Sequence, residues 1–494
     1  MKKLIFLFTI ACAVIVNSAS AQTIQRPWQP NGDVYAVVHD DVNQVIYLGG
    51  QFDTLFYAGA GPGAAPVVRH NLAAIDANTG RPLAFAPNMN GAVRALFLSE
   101  GRIYVGGDFT NISGVVRNRV ASFNTNYFNL TAFAPNVDNT VRAIHVEQGR
   151  VYLGGDFLYV NGGSRPYSAL VPAGYSGFGG FADWPITTNG PVYAIGYRNT
   201  TVYLGGQFST VNGAPRANLA SITGIADPVL NDWAPDPNGP INAILPNDTT
   251  IFVCGNFIGI AGAYRKSFVG INTYTGKTRS IYALKNTAGV PTFYSMAKSA
   301  NTIYIGGPTT GYLFSNEGGA PIGYQHGVIA LDIATGTQRD FDIQGKNRTV
   351  YAITVSGDLL SLGLKNYYTG ARPDTLTERY MHNYYAFRMP EIFNMPASPL
   401  VAEASELRNS ITIEPNPVNG GTVRVRSEGF TLQDGNAELM IYTPDGKLLS
   451  TSQSVVRGGL VDTQSDMARD LAPGVYIVRV LAGAEAHVGR IVVR

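Results

Sequence analysis

Four arginines stand at one place in a repeated pattern. Arg117, Arg165, Arg216 and Arg265 each lie eight residues after the phenylalanine of a box that reads I/V-Y-x-G-G-x-F or a close variant, and Asp108 and Asp156 sit inside two of those boxes. A guanidinium fork matches a carboxylate through two parallel hydrogen bonds. The chemistry on offer is ion pairing. It could form a ring of basic contacts for a ligand, or pairs within each unit that fasten the loop after the box. A contact copied with every repeat serves the repeat first, so fastening is the expectation.

The loops after the boxes offer a second candidate. Ten residues separate box and next strand in the second unit (110–119), but the first unit has 19 (53–71), the sixth 18 (310–327) and the seventh 17 (367–383). The long loops carry Phe56, Tyr57, Tyr312, Phe314, Tyr324, Tyr367, Tyr368, Arg372 and Tyr380. Aromatic loops on a rigid scaffold are a common recognition surface. In a closed ring the sixth, seventh and first units are neighbours, so the three loops would share one sector. They would either bind a ligand there or cover the seam.

Catalytic signatures are not found. The chain has no H-E-x-x-H and no G-x-S-x-G, and Gly276-Lys-Thr278 lacks a phosphate loop's glycine spacing. The histidines at 70, 326 and 382 occupy equivalent repeat positions. Equivalent positions on packed sheets stand about 10 Å or more apart, too far for three ligands of one ion. No metal, cofactor or catalytic residue is expected.

The elements that must position these residues come from the repeat. The box recurs as Ile46–Phe52, Ile103–Phe109, Val151–Phe157, Val202–Phe208 and Ile251–Phe257, and weakens at Ile303–Pro308 and Leu360–Gly363. A period of about 50 residues marks a repeat architecture. A second motif precedes each box: Val34-Tyr-Ala-Val, Val93-Arg-Ala-Leu, Val141-Arg-Ala-Ile, Val192-Tyr-Ala-Ile, Ile241-Asn-Ala-Ile, Phe293-Tyr-Ser-Met and Val350-Tyr-Ala-Ile. Both motifs are β-branched, aromatic and short, hence strands. The first is an inner strand A, whose alanine suits a crowded axis. The box is strand B, whose glycines mark a bulge or a close approach. Strand C follows at Leu72, Val120, Leu219, Phe268 and Val328, and strand D ends in an aromatic and a proline, as at Phe85-Ala-Pro87 and Trp233-Ala-Pro235. Four strands in each of seven units predict an all-β fold, a seven-bladed β-propeller over residues 22–392. Trp28-Gln-Pro30 reads as the strand D of the last blade, closing the ring.

Residues 1–21 read as a signal peptide: Lys2-Lys3, an apolar run, then Ala19-Ser-Ala21. The run is short for a bilayer span, so no transmembrane segment is expected in the mature chain. Of two cysteines, Cys12 lies in the leader and Cys254 replaces a box glycine, which suggests a buried filler. Charged residues are 14% and net charge is +2, which gives no field for nucleic acid. Residues 393–409 read as a linker, and 410–494 as a small Ig-like β-sandwich.

Two resemblances follow. Tyr104-Val-Gly-Gly-Asp-Phe-Thr-Asn-Ile-Ser-Gly with Arg117-Asn-Arg-Val-Ala-Ser-Phe-Asn resembles the delta-60 repeat of bacterial propellers. It implies a fold, not an activity. Pro415-Asn-Pro417, Asp445-Gly446, Pro473-Gly-Val-Tyr476 and Arg490–Arg494 resemble the type A sorting domain of the type IX secretion system. That resemblance implies export across an outer membrane, to the cell surface or the medium, with the secretion machinery as partner.

The expected function is an exported binding module for a glycan, polymer or protein. An extracellular carbohydrate-active enzyme with its site at the channel mouth is the alternative. A purely structural surface protein is the third reading.

Overall fold

The computed structural model describes residues 22–24, 28–57, 65–177, 184–224, 227–279, 291–308, 312–313, 324–325, 327–333, 335–336, 339, 341, 349–357, 359–365, 383–388, 411–414, 422–428, 434–442, 448–466, 469, 471, 474–482 and 485–493. Every regular element among them is a strand. Among the described residues no helix is long and apolar enough to cross a membrane. The chain divides into two compact units, Met1–Asn394 and Met395–Arg494.

In the first unit each repeat folds into an antiparallel sheet in the order A, B, C. The first is Asp33–Asp40, Val45–Gln51 and Leu72–Asp76, and the last is Val350–Ser356, Leu359–Leu364 and Tyr384–Arg388. Seven such sheets are found among the described residues. Each inner strand lies against the next, and Val350–Ser356 lies against Asp33–Asp40. This is a β-propeller arrangement. A sheet held between two neighbours is covered on both faces. Strand B accordingly buries every residue from Ile103 to Gly107.

The box glycines make the sheets fit. A Cβ on Gly106 would lie 2.7 Å from Val141 Cγ1 on the next inner strand, and one on Gly49 2.6 Å from Val93 Cγ1. The same contact recurs where the chain returns on itself, with a Cβ on Gly363 2.8 Å from Val34 Cγ1. The second glycine meets backbone instead: a Cβ on Gly107 would collide with Ala92 O. Cys254 stands in the first-glycine row and is fully buried among Phe252, Phe268 and Phe293, as a filler would be.

The box tyrosines pack between units. Tyr104 shares a core with Val141, Leu153 and Ala169 of the following repeat. The aromatic-proline segments serve this packing rather than a long outer strand. Phe85 meets Tyr47 edge-on at 5.8 Å, Phe133 meets Tyr104 at 5.4 Å, Trp184 meets Tyr152 at 5.5 Å and Trp233 meets Tyr203 at 5.6 Å. Strand D itself shrinks to Val229–Leu230 and to single bridges such as Ile75–Pro82 and Phe123–Leu130. The third unit has a strand C, Ser168–Pro172, that the repeat pattern leaves unmarked; it ends in Pro172 where the neighbouring units end in Asn124 and Thr223.

The closing strand differs from expectation. Gln22–Ile24 pairs with strand C of the last sheet, Gln22 opposite Arg388 and Ile24 opposite Ala386. Trp28–Pro30 pairs instead with Thr54–Tyr57 of the first unit's long loop. The reason is spacing. Phe85 and Phe133 lie eight residues before Val93 and Val141, whereas Trp28 lies six before Val34. Trp28 therefore falls beyond the outer-edge position, on the segment that crosses to the next inner strand. It still ties to the last sheet indirectly: Tyr384 N donates to Gln29 Oε1 and Asn383 Nδ2 to Pro30 O.

The second unit is one antiparallel seven-stranded sheet. Its order is Ile411–Glu414, Val423–Glu428, Leu460–Ser465, Leu448–Arg457, Asp434–Tyr442, Gly474–Ala482 and Glu485–Val493. Val423, Val425, Leu439, Ile441, Val478, Val480 and Ile491 form one buried cluster. The first and last strands of that order lie close to each other.

Candidate functional site

The second residue of the strand A motif is not part of the ladder. Registers jump from Val34 to Ala36, Val93 to Ala95, Val141 to Ala143, Val192 to Ala194, Ile241 to Ala243 and Val350 to Ala352. A bulge leaves one residue unpaired and re-aims its side chain. The re-aimed residues are Tyr35, Arg94, Arg142, Tyr193, Asn242 and Tyr351, all half-buried. In the sixth sheet the ladder starts at Ser295, and Tyr294 stands just ahead of it.

These side chains lie around one end of the inner strands, and two groups of them touch: Tyr294, Tyr351, Tyr35 and Arg94, and Arg142 with Tyr193. The Tyr294 and Tyr351 rings lie edge-on at 5.1 Å, and Tyr351 and Tyr35 are tilted at 5.4 Å. The Arg94 guanidinium covers the Tyr35 ring at 5.2 Å and pairs with Asp108 at 2.7 Å. Thr140 Oγ1 donates to the other oxygen of Asp108, at 2.7 Å. Arg142 forms a forked pair with Asp156, from Nε and Nη2, and covers the Tyr193 ring at 5.4 Å. Tyr193 donates to Gln207 Oε1 at 3.1 Å, and Asn242 to Phe293 O at 2.8 Å. The result is an aromatic arc of Tyr294, Tyr351 and Tyr35, continued by a polar arc through Asp108, Arg142 and Asp156.

A repeated clamp holds this end of the first five units. Asn31, Asn90, Asp138, Asn189 and Asn238 each accept two backbone N–H bonds from the loop after the box, as Asn90 Oδ1 does from Thr110 and Asn111. The crossing segment and the loop are thereby fixed to each other. An Asx residue three places before the strand A motif in the first five units was the available sequence signal. Beside Tyr35 lies a shallow cavity of about 460 Å³ lined by Asn31, Asp33, Gln51, Asp53 and His70 among others.

The electrostatics follow from partial burial. Burial raises the Asp108 carboxyl, but hydrogen bonds from Arg94 and Thr140 and the guanidinium charges outweigh it, so the group sits below its usual range. Burial lowers Arg142, and the bonds to Asp156 more than reverse that. Tyr35 is pushed up to about 12, first by burial and then by Asp33. Asp108 is thus held ionised, and both carboxylates of the polar arc are committed to arginine.

The repeated arginines after the box do not pair with Asp108 or Asp156. Arg117 donates to Val116 O and Thr131 O, and Arg216 to Pro215 O and Asn231 O. Arg165 and Arg265 donate to Ser164 O and Tyr264 O. They fasten backbone, and Arg69 does the same in the first unit through Val68 O and Leu83 O. The aspartates face the bulge instead, because the sixth box residue follows the glycine paired with the first residue of strand A, within reach of the re-aimed second residue.

Of the long-loop residues, Phe56 and Tyr57 lie on a short strand, with Tyr57 edge-on to Trp28 at 5.6 Å. Tyr312 and Tyr324 belong to a two-stranded pair, Tyr312–Leu313 with Tyr324–Gln325. Phe314, Tyr367, Tyr368, Arg372 and Tyr380 lie outside the described residues, as do His326 and His382. Gly276 lies in a turn closed by Asn272, not before a helix.

A family model described as "Domain of unknown function (DUF5122) beta-propeller" matches residues 98–126, from the end of strand A of the second unit past its strand C. No curated protein matches the chain. Among solved structures, the computationally designed Ika8 protein is 11% identical with a TM-score of 0.43, over 74% of this chain and 98% of its own. PorZ, a surface component of the type IX secretion system of Porphyromonas gingivalis, is 12% identical with a TM-score of 0.27, over 94% and 82%. The Niastella koreensis GH74 enzyme is 10% identical with a TM-score of 0.42, over 81% and 58%. Likenesses this remote carry no weight for what this chain does. It is similar to a β-propeller family over one repeat.

Proposed function

We propose that the chain is an exported binding module. Residues 22–392 form a seven-bladed ring that holds a glycan, polymer or protein ligand, and residues 410–494 are a sandwich-like sorting domain joined by the linker 393–409. Seven A-B-C sheets with the last inner strand against the first support the blade count. The close first and last strands of the second unit support a sandwich. The leader-like start and the motifs at Pro415-Asn-Pro417 and Pro473-Gly-Val-Tyr476 support the export route.

One observation carries the binding role. Bulges turn one side chain out of its sheet in six of the seven inner strands, and these gather at a single end of the propeller. A bulge repeated in six sheets weakens each ladder and is retained where it re-aims residues. The hydrolase alternative needs a carboxyl kept protonated as general acid. Asp108 moves the opposite way. The test is an array of glycans and surface proteins probed with the purified full chain, with product analysis in the same wells. Capture without turnover is expected. Released sugar would establish the enzyme, and no capture of any kind would leave a structural surface protein.

A further inference from the structure

We propose that the mouth formed by the bulged residues takes the end of an uncharged saccharide chain. This rests on the binding-module reading above and names its ligand class and site. The arc of Tyr294, Tyr351 and Tyr35 offers tilted phenol rings whose centroids are 5.1 and 5.4 Å apart in succession. A sugar ring has one C–H face, and an amphipathic phenol ring suits it: apolar body, hydroxyl at the tip. The remaining arc alternates donors and acceptors: Arg94, Asp108, Arg142, Asp156, Tyr193 and Gln207. Hydroxyl groups both donate and accept, so a vicinal pair can bond a carboxylate and a guanidinium at once.

Charge decides against an acidic ligand. Arg94 and Arg142 face Asp108 and Asp156, and Asp33 accepts from the Tyr35 hydroxyl at 3.0 Å, so two guanidiniums meet three carboxylates. An anion would have to break a charge-assisted fork with bonds of 2.7–3.0 Å to reach Arg142. The groups are still reachable. The Arg94 and Asp108 side chains are 31% and 28% exposed, and Arg142 and Asp156 35% and 23%. A cationic peptide is the other ligand that aromatic rings attract, but Arg94 and Arg142 lie over one face of Tyr35 and of Tyr193, and their like charge repels it.

The experiment is calorimetric titration of the full chain with short gluco-, xylo- and manno-oligosaccharides, an oligogalacturonate and an oligolysine. Saturable binding of a neutral oligosaccharide is expected. Tyr351→Ala should weaken it by roughly tenfold, the order of one aromatic stacking contact. Tyr127→Ala, exposed and after strand C of the second unit, should leave it unchanged. Circular dichroism and unfolding curves would establish that both variants fold, and Tyr351→Phe, which keeps the ring, should restore most of the binding. Neutral-sugar binding unaffected by Tyr351→Ala would overturn the site while leaving the binding-module reading intact. Binding of only the uronate or the oligolysine would overturn the ligand class. Array capture of proteins alone, with every sugar silent, would overturn this inference but not the broader one.

Discussion

His145 shows how much a single residue depends on its neighbours. It sits on the third inner strand, stacked on Tyr197 at 5.4 Å and edge-on to Phe97 at 4.8 Å, with no hydrogen-bond partner at Nε2. Burial among these rings lowers its pKa from 6.5 to about 4. The unfolded chain therefore binds a proton more readily than the folded one between those values. Stability is fully present above pH 6.5 and is lost as pH falls toward 4, by up to about 3 kcal/mol. Urea unfolding of the chain and of His145→Phe at pH 7 and near pH 4 should show a fall in the former that is largely absent in the latter. Equal falls would place the acid sensitivity elsewhere. The sequence displays this histidine as one of six scattered residues, because its aromatic partners come from three different repeats.

Within an element, the residue just before strand C adopts a left-handed backbone again and again: Asn71, Arg119, Tyr167, Asn218, Ser267 and Gly327. The position lets the chain turn back from the loop, and its N–H donates to the box phenylalanine carbonyl, as Ser267 N does to Phe257 O. Ser267 is the least suited occupant. Its φ is 61°, and its hydroxyl is buried with no hydrogen-bond partner. Ser267→Gly should raise stability by about 1 kcal/mol: relief of a left-handed side chain and a buried hydroxyl, offset in part by glycine's backbone entropy. A lower unfolding midpoint would mean that the packing of the Ser267 Cβ matters more than its strain. The motifs made strands A and B legible, and of the bulge or close approach that the box glycines suggested, the close approach holds at Gly106 while the bulge lies across on strand A, at residues such as Arg94. The outer strand was overestimated, because an aromatic followed by proline marks a plug between sheets as well as it marks a strand end.

At the scale of the molecule, the claim to test is that the first and last sheets pack like any other neighbours. Gly363→Ala would bring a Cβ within 2.7 Å of Val34 O across that junction, and Gly106→Ala brings one equally near Val141 within the chain. Each should cost about 1–3 kcal/mol, the range of overpacked cores, in chemical denaturation. A neutral Gly363→Ala beside a costly Gly106→Ala would mean that the sheets do not close. The amino-acid order alone determined the repeat, its inner strand and box, the buried role of Cys254 and the absence of a strong charge, since each is a local pattern read along one strand. Only the tertiary structure decided that Gln22–Ile24 rather than Trp28 supplies the outer strand of the last sheet, that Asp108 and Asp156 answer to Arg94 and Arg142, and that six bulged residues and Tyr294 gather at one end. Those facts depend on which strand lies beside which and on where a ladder skips a residue, and neither quantity exists until the sheets have packed.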